Sequence, residues 1–547
     1  MNMMNWQPRK LTCAIAVVMS GAATVSGKVL AQEEAGQAAQ VPAPQVEEIM
    51  VMGRLRDAAR SIIMERVEQP FAAEVVGVEQ ISRAGDSDVA MALRRVTGLS
   101  LVDGKFIYVR GLGERYSSAT LNGAEIPSPE LSRNVIPLDY IPASILESVK
   151  VHKAYSSDQP AAFGGGNVDI RTRGTPDDLV FDVSVGAGWN TENSGDGLRN
   201  LGDQGDLPEG IMNALNTYQG DISPSNITRF EYPGVGTPTE AQRLEGIRIN
   251  RELLRSINRD VDIESTTSLD PDTNASVTLG NAFDINNDLT FGVLANSAIG
   301  TSQSNSDQFE QSFSNPDETF RNIQRTFTND SLTAALNLSL SYQDRHTIST
   351  NTYLLQDDED QASIVLGFNP DFQQASGRQR KTNVSRLEQR ELFVNQVVGE
   401  HSLEAYDLER LPMRGLFSFV NGVDLRWFYS DAQASTNVPN SSSVQSTNIL
   451  DPGSQQLIST QVNTGSSAQF AFLELEDSVE SWGYQADAHF DLGFTNGTVS
   501  GGYNYSEKAR EYYGYTANIV MGPTGREGLP SQVFSDDNLA DLDNGFF

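Results

Sequence analysis

The ten residues "VFDVSVGAGW", Val180 to Trp189, constrain this chain more tightly than any other stretch. Phe181, Val183, Val185, Ala187 and Trp189 alternate with Asp182, Ser184, Gly186 and Gly188. Period two places the two sets on opposite faces of a strand, and ten such residues make one tilted crossing of a bilayer. The pattern recurs. "NASVTLGNAF" and "LTFGVLANS" flank Asn286-Asn287-Asp288, and "LTAALNLSLSY" and "TISTNTYLL" flank Gln343 to His346. "ELFVNQVVG" and "VDLRWFYSD" follow, and "GYQADAHFDLGF" and "TVSGGYNYSE" meet at Thr495 to Gly497. Residues 178–547 thus read as about nine strands of an antiparallel transmembrane β-barrel. Three short turns alternate with long polar stretches, near 190–272, 297–331, 356–390 and 430–481. Short turns opposite long extracellular loops are the rule for outer-membrane barrels. The stretches share no fixed period, which excludes a repeat protein.

No segment has the ~18 consecutive apolar residues of a membrane helix. A net charge of −33 leaves no basic patch to displace counterions, so nucleic acid is excluded as a partner. The N-terminus carries an export signal: Arg9 and Lys10 precede the apolar run Leu11 to Ala23, and Val29-Leu30-Ala31 is a small-residue cleavage site. Residues 1–31 are therefore expected to be removed. Cys13, the only cysteine, goes with them, so the mature chain has no disulfide. Residues 32–75 read as a flexible N-terminal segment that begins, from Gln32 to Gln45, as a polar tether rich in Gln, Ala, Pro and Glu. Inside it, "VEEIMVMGRL" holds four apolar residues in a row, Ile49 to Met52. That is a strand without a neighbour, and its backbone needs a partner from elsewhere.

Residues 76–174 form a different kind of region, compact and α+β. "DSDVAMALRRVTG" reads as a helix capped by Asp86, Ser87 or Asp88, with Val89, Leu93 and Val96 on one face and Gly98 at C′. "LSLVDGKFIYVRG" and "ATLNGAEI" are strand pairs around Asp103-Gly104 and Asn122-Gly123, dipeptides suited to tight hairpins. "IPASILESVKVHKA" starts a helical turn at Pro142 and runs into a strand, Ser148 to Lys153. "FGGGNVDIRTR" adds another strand. Its three glycines suit a tight turn rather than a phosphate loop, since no helix follows.

In order, the Val-Arg-Gly, Leu-Asn-Gly, Leu-Glu-Ser-Val-Lys-Val and Gly-Gly-Gly-Asn-Val-Asp-Ile elements resemble the plug domain of TonB-dependent outer-membrane receptors. The resemblance implies a bacterial outer-membrane importer whose plug sits in a barrel of ~22 strands. The nine strands here are then the N-terminal part of a longer barrel, in a receptor of roughly 1,000 residues. It also implies a TonB box at Glu47, Glu48, Ile49, Met50, Val51, Met52 and Gly53, added as a strand to the periplasmic domain of TonB. Family plugs aim loops at the extracellular side. Here those are Gly113, Glu114, Arg115 and Tyr116, with Ser128, Glu130 and Arg133, as ligand-contact candidates. Arg94, Arg95, Arg110, Arg171 and Arg173 are candidates for pairing with wall carboxylates, holding the plug without an apolar seal. The ligand is left open among small molecules, saccharides and peptides, and outer-membrane lipid is the other partner. No catalytic group, cofactor or metal site is expected. The histidines His152, His346, His401 and His489 are far apart in sequence. Asn369 to Phe372 lacks the Phe-Arg-Ala-Pro that accompanies its counterpart in haem receptors. The alternative readings are a passive porin or adhesin with a structural plug, or a secreted β-rich enzyme.

Overall fold

The computed structural model describes residues 73–157, 159, 164–189, 197–202, 204–266, 269–408, 420–492 and 495–541. The expected signal, the TonB-box residues 47–53 and nearly all of the tether lie outside these residues.

The first folded region begins with β1 (Ala73–Gly77), α1 (Val78–Ala84) and α2 (Val89–Leu93). The hairpin β2 (Leu99–Val102) and β3 (Phe106–Val109) follows, then β4 (Ser117–Leu121) and β5 (Ala124–Glu125). It closes with β6 (Leu146–His152) and β7 (Gly166–Thr172). Both expected hairpin turns form. Asp103 and Gly104 have φ of 56° and 72°, and Asn122 and Gly123 have 52° and 85°, the left-handed pair that such a turn needs. The five-stranded sheet has the order β1-β6-β7-β4-β5, with β4 and β7 parallel. Val149, Val151, Val168 and Ile170, all 0% exposed, share a core with Ile81, Val89 and Leu93. The helix is shorter than its pattern suggested. Asp88 caps it by accepting the Met91 N–H at 2.8 Å, but it stops at Leu93. Gly98 (φ 77°) serves the hairpin instead, its carbonyl accepting the Arg110 N–H at 2.9 Å.

The second region is a single antiparallel sheet. Its strands are β8 (Val180–Gly188), β11 (Asp272–Asn286), β12 (Leu289–Gln311), β13 (Phe320–Tyr342) and β14 (His346–Phe368). They continue with β15 (Arg378–Glu404), β16 (Val420–Leu450), β18 (Gly465–Asp491) and β19 (Asn496–Met521), while a short β17 (Leu457–Val462) pairs beside β16. All nine expected strands are present, in sequential order, and the sheet is open, with β8 and β19 as its edges.

The strands are much longer than their hydrophobic pattern. β12 to β15 pair continuously across most of 297–331 and 356–390, and β16 and β18 pair through much of 430–481. These stretches are strand, not long loop. Through β12, β13 and β15 most of these side chains are polar on both faces, so little hydrophobic period marks them, yet the backbone ladder continues. The stretch 190–272 is also more than loop. It holds the ribbon β9 (Gly197–Asn200) and β10 (Ile263–Thr266), and between them α3 (Glu209–Thr217), α4 (Pro224–Glu231) and α5 (Glu240–Ser256). Side-chain caps from Ser223 and Thr239 start α4 and α5.

Register assigns every side chain to a face. Asp182, Asn296, Tyr353, Ala432 and Lys508 fall on one line of directly opposed residues across the sheet, and directly opposed residues share a face. This inner face meets the first region. On the other, outer face, near the short turns, stand exposed Phe181, Val183, Leu340, Ile348, Trp482 and Tyr505. This apolar band is roughly 9–11 residues tall, the height of one bilayer crossing. Directly beyond it the acids Asp431, Glu480 and Glu507 lie in register on neighbouring strands, where only water suits three carboxylates side by side. Farther up, the outer face turns apolar again at Val444, Phe470, Phe472, Ala517 and Ile519. There it packs against Ile211 and Leu254 of the helical insertion, and against α6 (Pro530–Val533) and α7 (Asp536–Ala540) through Val533 and Leu539.

Candidate functional site

The site is the seam where the α+β region lies against the inner face. Its lower part runs across neighbouring strands. Thr175 and Ser339 hydroxyls bond at 2.5 Å, and Asn337 Nδ2 donates to the Arg173 carbonyl at 2.6 Å. Tyr353 donates its hydroxyl to Thr172 Oγ1 at 2.6 Å. Gln396 donates to the Leu121 carbonyl at 2.9 Å and accepts from Asn122 at 3.0 Å. Ser506 donates to Glu125 at 2.7 Å. Tyr140 donates to the Leu355 carbonyl at 2.8 Å. Burial, with the nearby Asp357 carboxylate, pushes the Tyr140 phenol well above its usual range, so it stays a donor.

The upper part is built differently. Residues Ser128 to Asn134 form a loop whose backbone faces the wall. The Ser128 N–H donates to Asp477 Oδ2 at 2.9 Å, and Thr436 donates its hydroxyl to the Pro129 carbonyl. Arg510 donates to the carbonyls of Ser128 (3.3 Å), Glu130 and Arg133 (3.2 Å), and to Asn134 Oδ1 at 3.4 Å. The same guanidinium pairs with Asp477 at 3.0 Å, as Lys508 does at 3.2 Å, and the Asp477 side chain is 0% exposed.

Of the arginine candidates, Arg173 faces a wall carboxylate, Asp182, whose charge favours its guanidinium; the described ion pairs of two others lie elsewhere. Arg95 pairs with Asp86, and Arg171 with Asp169 at 3.2 Å, both inside the α+β region. Arg94 and Arg110 are exposed. Arg173 meets the sheet through its carbonyl, while its Nε donates to the Leu146 carbonyl at 3.0 Å. In the upper seam a cation from the sheet, Arg510, binds backbone carbonyls, because inward-facing loop backbone offers acceptors that no helix or strand satisfies. Nor is the seam free of apolar contact. Tyr353, Leu355, Leu392, Val394, Ala432 and Ala434 of the sheet belong to the same core as Val149 and Ile170.

The loop candidates separate. Arg115 and Tyr116 are exposed, and Gly113 packs near the Tyr108 ring. The side chain of Glu114 lies outside the described residues. Gly164, Gly165 and Gly166 explain that loop's position: a Cβ on Gly165 would come within 2.7 Å of Leu112, and one on Gly166 within 2.6 Å of Val109. Ser128, by contrast, is 1% exposed and spent on the wall. Arg133 pairs with Asp103 at 3.3 Å and lies 4.3 Å over the Phe106 ring. Glu130 is half-buried in the same loop. Of the histidines, His346 and His401 are neighbours after all, 5.5 Å between ring centroids, in an outer-face row with Tyr342 and Trp427. Sequence reading missed Arg510, Asp477 and Thr436. The signal was there in strand parity, but their strands had been taken to end short of them.

The TonB-dependent Receptor Plug Domain family matches residues 65–168. No curated protein matches the chain. Among solved structures, the ferric-catecholate import receptor Fiu from E. coli K12 aligns at TM-score 0.35 and 10% identity, over 84% of this chain and 66% of its own. The ferric citrate transporter FecA aligns at 0.29 and 11%, over 84% and 60%. The siderophore receptor PiuA from Acinetobacter baumannii aligns at 0.28 and 10%, over 84% and 65%. The chain spans 60% to 66% of the length of these three. The chain thus carries a TonB-dependent receptor plug domain, followed by an open antiparallel β-sheet.

Proposed function

We propose that this receptor imports a scarce small ligand across the outer membrane of a Gram-negative bacterium, driven by TonB. Ligand is taken at the extracellular side, by exposed plug residues such as Arg115 and Tyr116 and by the wall. TonB then pairs with residues 47–53 in the periplasm, and force on the tether shifts the plug. The observation that carries this reading is the seam. A plug domain lies against the inner face partly through hydrogen bonds that water can replace at small net cost, as a removable body requires. No covalent bond is made or broken, in keeping with a family of transport receptors.

The test addresses the tether. Strand addition depends on backbone donors, so Val51→Pro should abolish energised uptake while leaving surface binding of ligand intact. Normal uptake by that variant would sink the TonB assignment.

A further inference from the structure

We propose that Arg510 latches the Ser128–Asn134 loop of the plug to the wall independently of the lower seam, so that this loop can leave the wall while the plug stays seated. The two fastenings use different chemistry. Below, side chains of Asn337, Tyr353, Gln396 and Ser506 bond to the ends of β4, β5 and β7. Above, one guanidinium gathers three carbonyls of a single loop. Arg510 stands four residues beyond Ser506 on β19, roughly 13 Å along the strand, so the two sets share no side chain.

Arginine suits the task because its planar fork carries five donors. It can hold Asp477 and several carbonyls at once, which the compact ammonium of lysine cannot do. Because three of the loop's four acceptors are backbone atoms, the grip depends little on its side chains, Asn134 Oδ1 being the fourth. The wall half survives opening. Asp477 loses only the Ser128 N–H when the loop leaves and keeps Arg510 and Lys508, so a buried carboxylate is never left unpaired. The plug half is tied back to its own hairpin through Arg133, Asp103 and Phe106. A disturbance on the exposed side of that loop therefore reaches the latch before it reaches the lower seam.

The latch rests on the plug reading of the chain, but its test in resting cells needs neither TonB nor a transported ligand. In a Cys13→Ser background, Ser128→Cys reports on the loop and Ser430→Cys on the lower seam; the parent residues are 1% and 0% exposed. Each is exposed to a membrane-impermeant maleimide, alone and with Arg510→Lys or Arg510→Gln. The expected result is labelling of position 128 at least tenfold faster in both Arg510 variants, with position 430 unchanged within twofold. Unchanged labelling at 128 would overturn the latch. Equal acceleration at both positions would overturn it too, as general loosening. Failure of both variants to accumulate would also count against it, since a local latch is not needed to seat the plug.

Discussion

The sheet carries a folded body on each face and fastens the two by different means. On the outer face, the helical insertion is held by large apolar side chains: Phe470 and Ile519 are 0% exposed, Phe472 4% and Met521 3%. Arg251, 5% exposed, adds bonds to the carbonyls of Leu539 and Asp541 at 3.1 and 2.7 Å. On the inner face, the plug meets Tyr353, Leu355 and Leu392 together with smaller wall residues such as Ala432, Ala434 and Val394, amid a row of side-chain hydrogen bonds. Opening an apolar contact in water costs about 25 cal/mol per Å². A hydrogen bond exchanged for water costs only about 1 kcal/mol net. The insertion is thus held mainly by apolar contact, whereas the plug adds to its apolar contacts a row of bonds that can be traded. That contrast suits a receptor in which one body moves and the other does not.

The largest effect should come from the fixed side. Phe470→Ala removes a fully buried ring and should cost about 3–5 kcal/mol, seen as early proteolysis of the insertion while the plug stays protected. A cost under 1 kcal/mol would erase the contrast between the faces. The sheet's own two faces give the next test. Val183 is on the outer face in the apolar band and 52% exposed, whereas Ser184 points inward. Val183→Arg should destabilise the inserted barrel by roughly 2–4 kcal/mol, and Ser184→Arg by much less. Equal costs in a denaturant titration would refute the assignment of faces.

The same contrast explains what could be read beforehand. The lipid-facing halves of the strands were legible because one face meets hydrocarbon and the other water, giving a period of two. The hairpins at Asp103-Gly104 and Asn122-Gly123 were legible because positive φ demands particular residues. Much of the upper halves was hidden, since a strand that is polar on both faces has no period, and around Phe470 and Ile519 the apolar face packs on the insertion. The insertion was hidden for a related reason: α5 exposes Arg248, Glu245 and Glu252 in ion pairs of 2.5 to 2.7 Å and looks like polar loop. The seam could not be read because plug position depends on which strand residues face inward at a given height. The arginines chosen from the plug were plausible donors, but Asp86 and Asp169 lay closer to two of them.

The smallest effect should lie in the seam, and it decides whether the plug is exchangeable. Tyr353 is 1% exposed, and its hydroxyl donates to Thr172 Oγ1 at 2.6 Å. Tyr353→Phe keeps the ring in the core that it shares with Val394 and Ala432, so no cavity opens. Thr172 keeps its own partner, because Asn122 Nδ2 donates to the same oxygen at 2.9 Å. No buried acceptor is orphaned, and the loss should be the net worth of one hydrogen bond, about 0.5–1.5 kcal/mol. It can be read as a shift in the urea concentration at which Ser430→Cys becomes reactive to maleimide. A cost above 3 kcal/mol would mean that water cannot take over the bonds of the seam. The plug would then be fixed as firmly as the insertion, and movement of the whole plug would need a route other than trading the seam for water.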